Sequence, residues 1–362
     1  MIFSIPTSNL GSRVRLSSQW IRVIAGAVLT LSLLVWALRD MSSALVWSVL
    51  QTAQIGWLAL SVLSLLASIS VRARRWGTLL GTECHPGSFD VRQSAVFIGC
   101  AGNYLMPAHA GELMRGLILK KRGSVPLGLG LGSIFVERVL DVVVLMIFIL
   151  GSFLSERGRV AGTQGLDGVQ FAWIGVAFLV VCGGIFATIL LSSHIVRLVE
   201  GLCHGVGLGR FTPTVVESVK ALLNGLAVLR SPKRIGKALV ETVLIIGLSV
   251  GTFWAAMLAF GITGPGLTGA ILTQGITTLG MAVPSVPGYL GTFEAAIRFS
   301  LEMYGVTSDV IIAYALALHA LIFISLIAAG GVLAIRMGLS WSDLTTASSP
   351  IPAQSTEQKA VA

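Results

Sequence analysis

Two long apolar stretches of this chain are interrupted by the same kinds of residues: proline, then glycine, then a carboxylate. The first runs Asn103-Tyr104-Leu105-Met106-Pro107-Ala108-His109-Ala110-Gly111-Glu112-Leu113-Met114-Arg115, and the second runs Pro284-Ser285-Val286-Pro287-Gly288-Tyr289-Leu290-Gly291-Thr292-Phe293-Glu294. Inside a bilayer, non-helical backbone leaves N–H and C=O groups without partners, so it survives only where protein or a water-filled cavity satisfies them. One such break in each half of a membrane protein points to a polar site near the bilayer midplane and a transporter-like arrangement.

The membrane setting follows from the balance of residues. With 54% hydrophobic and only 11% charged residues, and a mean hydropathy of +0.87, a soluble domain could not cover its own apolar surface. The net charge of +9 does not point to nucleic acid, because the basic residues lie between apolar segments rather than in one solvated patch. Cys84, Cys100, Cys182 and Cys203 form no CxxC pattern, and Cys84-His85 with Cys203-His204 is the one arrangement resembling a metal site. Without paired ligand motifs these read as ordinary thiols, and neither metal nor cofactor is expected.

Spans need about 20 apolar residues. Six segments qualify or come close: Trp20 to Leu38, Ile55 to Val71, Pro126 to Leu150, Val169 to Leu191, Ala238 to Phe260 and Val310 to Ile335. The first continues through bulky Val35-Trp36 without a small-residue cleavage site, as a retained signal anchor would. Placing the N-terminus inside makes Arg13, Arg15, Arg72, Arg74, Arg75, Lys120, Lys121, Arg122, the basic residues from Arg197 to Lys237, and Arg336 all cytoplasmic. Only Arg39, Arg157 and Arg159 are then left outside. Both termini are therefore expected in the cytoplasm of a multi-pass protein of the cell membrane.

That orientation constrains the broken stretches. Arg92 and the Lys120-Lys121-Arg122 cluster flank the first on one side, so Gln93 to Leu119 must enter and return as a re-entrant hairpin. The second, from Gly269 to Tyr304, lies between spans that end and begin on the other side, and enters from the opposite face. The expected fold is all-α, a polytopic membrane helix bundle of about six spans plus two re-entrant broken hairpins in an inverted-topology repeat. Residues 1–19 form a cytoplasmic N-terminal segment, 20–336 the membrane domain, and 337–362 a disordered cytoplasmic tail rich in Ser, Thr, Pro and Ala. Between the fourth and fifth spans, Thr212-Pro213 starts a helix with Val215, Val219, Leu222, Leu226 and Leu229 on one stripe. It either lies at the interface or packs on the bundle.

Charges within the apolar segments mark the candidate site. The third span carries Glu137, Arg138 and Asp141, and each ionisable group at membrane depth costs at least about 2.5 kcal/mol without partners or water. Glu137 and Asp141 share a helix face, and Arg138 and Asp141 are spaced to pair. A neutralised structural knot is the competing reading. Glu112 and Arg115 follow the first break on a helix whose free N–H groups form a ready anion site, with Arg115 suited to phosphate. Glu294 and Arg298 hold the equivalent place after Pro287-Gly288, and an internal salt bridge is the alternative there. Gly111, Gly288 and Gly291 permit tight turns and close helix approach. His109 and His319 either relay protons or serve as hydrogen-bonded structural residues.

Taken in order, Asn103-x-x-x-Pro107-x-x-x-Gly111-Glu112-x-x-Arg115, Glu137-Arg138-x-x-Asp141 and Pro284-x-x-Pro287-Gly288-x-x-Gly291-x-x-Glu294 resemble the lysylphosphatidylglycerol synthase/flippase transmembrane family. The likeness runs from about Arg15 to Arg336. It implies a flippase-like membrane protein that moves a phospholipid or related amphiphile between leaflets. Fuller members append a soluble aminoacyl-transferase domain, and the expectation here is that this domain and its lysyl transfer are absent. On this reading Arg115 or Arg138 holds a lipid phosphate. Asn103 contributes to the substrate site, and Glu112, Glu137, Asp141 and Glu294 bind a cationic headgroup or take up protons. Membrane lipids are the expected partners, with a separate lipid synthase as a further one. The alternatives are a membrane-embedded lipid-modifying transferase, for which no DxD, HxxxH or nucleotide loop is present, and the membrane subunit of a synthase.

Overall fold

The computed structural model describes residues 31–38, 43–81, 87–106, 110–155, 231–282 and 287–339. Among them every regular element is helical. In chain order these are α1 (Leu31–Leu38), α2 (Ser43–Gln51), α3 (Ile55–Leu80), α4 (Phe89–Leu105), α5 (Ala110–Gly123), α6 (Leu127–Ser155), α7 (Pro232–Ala259), α8 (Gly266–Met281), α9 (Thr292–Glu302) and α10 (Ser308–Arg336). A single 3₁₀ turn, Pro287–Tyr289, precedes α9. The helices α3, α7 and α10 are each long and apolar enough to cross a membrane. With α6, which is 29 residues long, they match four of the six expected spans. The span at 169–191, the stripe at 212–229, the external arginines and the tail lie outside the described residues.

Local chemistry sets the helix ends. Ser88 caps α4 by accepting from Val91 N–H, and Asp90 in the first turn complements the dipole. Lys120, Lys121 and Arg122 close α5 at its negative end. Pro232 opens α7, and Gly81, at φ 73°, ends α3.

Helices α3 and α7 run antiparallel along a seam of small residues. Ser61 Oγ donates to the Thr252 carbonyl at 2.8 Å and Ser64 Oγ to the Leu248 carbonyl at 2.9 Å. Gly251 lies opposite Ser64, so the backbones approach closely enough for these bonds, the usual way helices associate in lipid. Bulky side chains such as Ile55, Leu63, Val240 and Ile324 point outward, as a lipid-facing surface requires.

The two broken segments form helical hairpins from opposite ends of the bundle. In the first, Gly87 at the start of α4 meets Gly123 at the end of α5, while Gly99 and Gly102 meet Gly111 near the tip. A Cβ on Gly111 would collide with the Gly99 carbonyl and with Asn103, so α4 and α5 can cross here only because the residue is glycine. In the second, Gly269 near the start of α8 faces Tyr304 just beyond α9, and Gly280 faces Ala296 and the Thr292 carbonyl. At 17, 14, 16 and 11 residues, each of these four helices is shorter than the roughly 20 residues that a full span needs. Hairpins built from helices of this length are too short to cross a bilayer and return, as re-entrant segments are.

The halves pack alike. The first hairpin's leading helix, α4, lies against α10, and the second's leading helix, α8, lies against α6. Likewise α5 packs on α6 and α9 on α10. Exchanging one span–hairpin–span unit for the other leaves this pattern unchanged, which is the inverted-topology repeat in structural form.

Candidate functional site

The hairpin tips meet. Tyr104, one residue before the end of α4, packs edge-on against Tyr289 in the second break, with ring centroids 5.1 Å apart. Gly288 at φ 81° and Gly291 at φ 82° let the chain fold tightly there. Tyr289 itself adopts φ 56°, a conformation unusual for a side-chain-bearing residue.

The second break is held by two titratable side chains. Glu294 Oε2 accepts from Gly291 N–H at 2.7 Å, the returning half of a capping box. Its Oε1 lies 2.6 Å from His319 Nδ1, and His319 Nε2 donates to the Gly288 carbonyl at 2.7 Å. Both Glu294 oxygens are thus engaged in supporting the turn. His319 packs against Phe293 and Tyr104, which gives this span histidine defined partners on α9 and in the break.

An ion network lies alongside the first hairpin. Arg115 on α5 donates to Glu137 on α6 at 2.6 Å, with its guanidinium 5.1 Å from the Trp76 ring. Arg75 on α3 donates to Asp141 and, at 2.7 Å, to Thr242 Oγ1 on α7. Its Nη2 stands 4.0 Å from Glu137. Asp141 also meets Arg72 at 3.2 Å and Arg138 at 3.6 Å. Trp76 Nε1 donates to Ser133 Oγ at 2.8 Å, fixing the ring under Arg115.

These pairings correct one sequence expectation. Arg72 and Arg75 are not loop charges beyond a span ending at Val71: α3 continues to Leu80 and Arg75 is fully buried. The carboxylates of α6 supply the countercharge that makes burial tolerable. Glu112 and Arg115 do not pair along α5, either. Glu112 reaches Arg138 at 3.1 Å and Arg115 reaches Glu137, because the contact between α5 and α6 brings better-placed partners than the next turn does. On α9, the carboxylate paired with Arg298 among the described residues is Glu302, at 2.6 Å. Arg298 also donates to the Trp36 and Ala37 carbonyls at the end of α1, a favourable place for a cation.

The network is graded in exposure. Glu137 is inaccessible, whereas the Arg138 side chain is 44% exposed and Glu112 26%. Glu112 is the third residue of α5, just past the tip of the first hairpin. Arg138 is the most exposed member of the network and Glu112 the next, ahead of Arg72 at 21% and Asp141 at 17%. Asn103 is half-buried at the crossing of α4 and α5, with its Oδ1 buried and unpartnered among the described residues. Pro107, His109 and Pro284 lie outside the described residues, as do Cys84, His85, Cys203 and His204.

With four cations, Arg72, Arg75, Arg115 and Arg138, facing Glu112, Glu137 and Asp141, one formal positive charge remains. Arg72, Arg75, Trp76 and Thr242 were not singled out from sequence as parts of this site. Their signal was the i, i+3 arginine pair with an adjacent tryptophan at the end of an apolar run.

Residues 23–330, which contain both hairpins and the whole network, match the family described as the lysylphosphatidylglycerol synthase TM region. The chain belongs to this family. The chain is similar to the protein named glycosyltransferase AglD of Haloferax volcanii, 27% identical over 187 residues, covering 52% of this chain and 28% of that protein. It is also similar to UPF0104 membrane protein MJ1078 of Methanocaldococcus jannaschii, 31% identical over 94 residues, covering 26% of this chain and 39% of that protein. The matched regions thus span well under half the length of either relative. No solved structure matches the chain. Membership in the lysylphosphatidylglycerol synthase TM family makes this a multi-pass membrane protein, in keeping with its apolar helices.

Proposed function

We propose that this protein moves a phospholipid or related amphiphile between the leaflets of the cell membrane, with both termini cytoplasmic and without catalysing a group transfer. The observation that carries this reading is the ion pair of the half-exposed Arg138 with the partly exposed Glu112, beside the meeting tips of two oppositely inserted hairpins. A guanidinium there offers charge-assisted hydrogen bonds to a lipid phosphate, while Glu112 offers a counter-ion to a cationic headgroup. Arg115 is buried over the Trp76 ring and bound to Glu137, so it supports Arg138's surroundings rather than meeting the lipid directly. The acyl chains remain in the bilayer while the headgroup passes between the hairpins.

Purified protein in liposomes should expose a fluorescent phospholipid of the inner leaflet to a membrane-impermeant quencher. Arg138→Gln, in an otherwise folded protein, should slow this by about tenfold, the scale of one charge-assisted hydrogen bond. Equal rates in parent and variant would remove the phosphate assignment.

The likeness to a protein named a glycosyltransferase supports a second reading, in which this bundle is the membrane platform of a lipid-modifying enzyme. That reading requires lipid turnover only when an activated donor or partner protein is added. Movement by the protein alone argues against it.

A further inference from the structure

Two ion pairs occupy the same place in the two halves. Glu112 is the third residue of α5 and Arg138 the twelfth of α6, while Glu294 is the third residue of α9 and His319 the twelfth of α10. Each carboxylate therefore stands in the first turn of the helix that follows a break. Each reaches a basic side chain about three turns into the next span, at 3.1 Å in the first half and 2.6 Å in the second.

The buried core of the ion network has no such counterpart. Arg115, sixth in α5, and Glu137, eleventh in α6, form an inaccessible pair in the first half. The sixth residue of α9 is Ile297 and the eleventh of α10 is Leu318, both fully buried in the apolar core. Asp141, fifteenth in α6, answers in the same way to Ile322 of α10. Buried charges that only hold helices together can be exchanged for apolar residues of similar volume, and the second half carries apolar residues at all three positions. The carboxylate–cation pair that follows the break is nevertheless present in both halves, which points to a use that an apolar contact cannot serve.

The two pairs differ in access. The Arg138 and Glu112 side chains are 44% and 26% exposed, those of His319 and Glu294 7% and 3%. The second pair is shut in by its own turn, through the bonds of His319 Nε2 to the Gly288 carbonyl and of Glu294 Oε2 to Gly291 N–H. Between those two glycines Tyr289 is held at φ 56°, a strained conformation that persists only while its surroundings impose it. Inverted repeats work by rocking one half against the other, and an exchange of the two conformations opens the second pair as it closes the first.

We propose that Glu294 and His319 form a second phospholipid headgroup site, serving the leaflet opposite to that served by Arg138 and Glu112, in which the His319 imidazolium takes the lipid phosphate as the Arg138 guanidinium does. The inference rests on the lipid-moving reading above and deepens it. The phosphate passes from one cation to the other, and each carboxylate neutralises its cation while no lipid is bound.

The test uses the full chain in phosphatidylcholine nanodiscs containing phosphatidylglycerol with a diazirine beside its phosphate. Illumination is followed by mass spectrometry of the labelled peptides. Labelling is expected on both α5–α6 and α9–α10. Labelling confined to α5–α6 overturns the second site and leaves the lipid reading standing, whereas labelling of neither removes both. A neutral diacylglycerol carrying the same diazirine should label α9–α10 about tenfold less, the scale of one charge-assisted hydrogen bond. Equal labelling by this neutral probe overturns the proposal without recourse to any variant. His319→Gln should lower α9–α10 labelling by the same factor and leave α5–α6 labelled. Glu294→Gln retains an acceptor for Gly291 N–H and a donor for His319, so it keeps the turn and the Tm, but it removes the charge that holds the second imidazole proton. It too should lose labelling on α9–α10 alone. A pair with a purely structural role would leave the labelling pattern of a folded Glu294→Gln protein unchanged, and that result overturns the proposal.

Discussion

His319 on α10 and Glu294 on α9 are joined through Nδ1 and Oε1 at 2.6 Å, and the other imidazole nitrogen reaches the Gly288 carbonyl at 2.7 Å. A backbone carbonyl only accepts, so Nε2 carries a proton. The contact with Glu294 then requires one more, either on Nδ1 or on the carboxyl. In both arrangements the pair is neutral overall and pins the second break to α10. His319→Phe keeps the aromatic packing but orphans two buried acceptors. It should destabilise by about 2–5 kcal/mol, seen as a lower Tm and reduced yield in detergent. An unchanged Tm would mean that the break is held by other contacts.

The two arginines expected to hold phosphate should separate experimentally. Arg115→Gln leaves Glu137 buried beside the more distant Arg75, and should cost about 3–5 kcal/mol, visible as aggregation on size-exclusion chromatography. Arg138→Gln affects a side chain that is 44% exposed and should elute as the parent does. Comparable behaviour of the two would contradict the graded burial of the network.

Glycine crossings give a steric test. Gly111→Ala drives a methyl into the Gly99 carbonyl and Asn103, and should destabilise by about 1–3 kcal/mol or more. Gly247→Ala, whose added methyl meets nothing within 4 Å, should be neutral or gain up to about 1 kcal/mol from helix propensity. Thermal denaturation of both variants in the same detergent compares them directly.

The opposite entry of the hairpins is accessible to labelling. In a cysteine-free background, Asp90→Cys and Lys121→Cys should react with an impermeant maleimide from one side of the membrane, and Thr263→Cys and Thr307→Cys from the other. Reaction of Asp90→Cys and Lys121→Cys from opposite sides would make the first segment a true span and dissolve the repeat.

The breaks were legible in sequence because their cause is local. Proline and positive-φ glycine interrupt helices wherever they stand, so Pro287, Gly288 and Gly291 announce a turn without knowledge of neighbours. The spans were legible for a similar reason, since length and hydropathy are properties of one segment. Partners were not. The i, i+3 spacing of Glu112 and Arg115 satisfies a pairing rule, yet the pairs form across α5 and α6, because helix contact and rotation set which side chains face each other. Arg72 and Arg75 carried the loop signature of cations at the end of an apolar run, and only carboxylates distant in sequence drew them inside.

Composition and residue order therefore settled that the chain is an all-helical membrane protein with two interrupted segments, since the bilayer penalises unsatisfied backbone and isolated charge regardless of fold. Tertiary structure settled which charges neutralise one another and left Arg138, paired with Glu112, the most exposed of them. Ionic pairing falls off within a few ångströms in space, and no spacing along the chain encodes that distance.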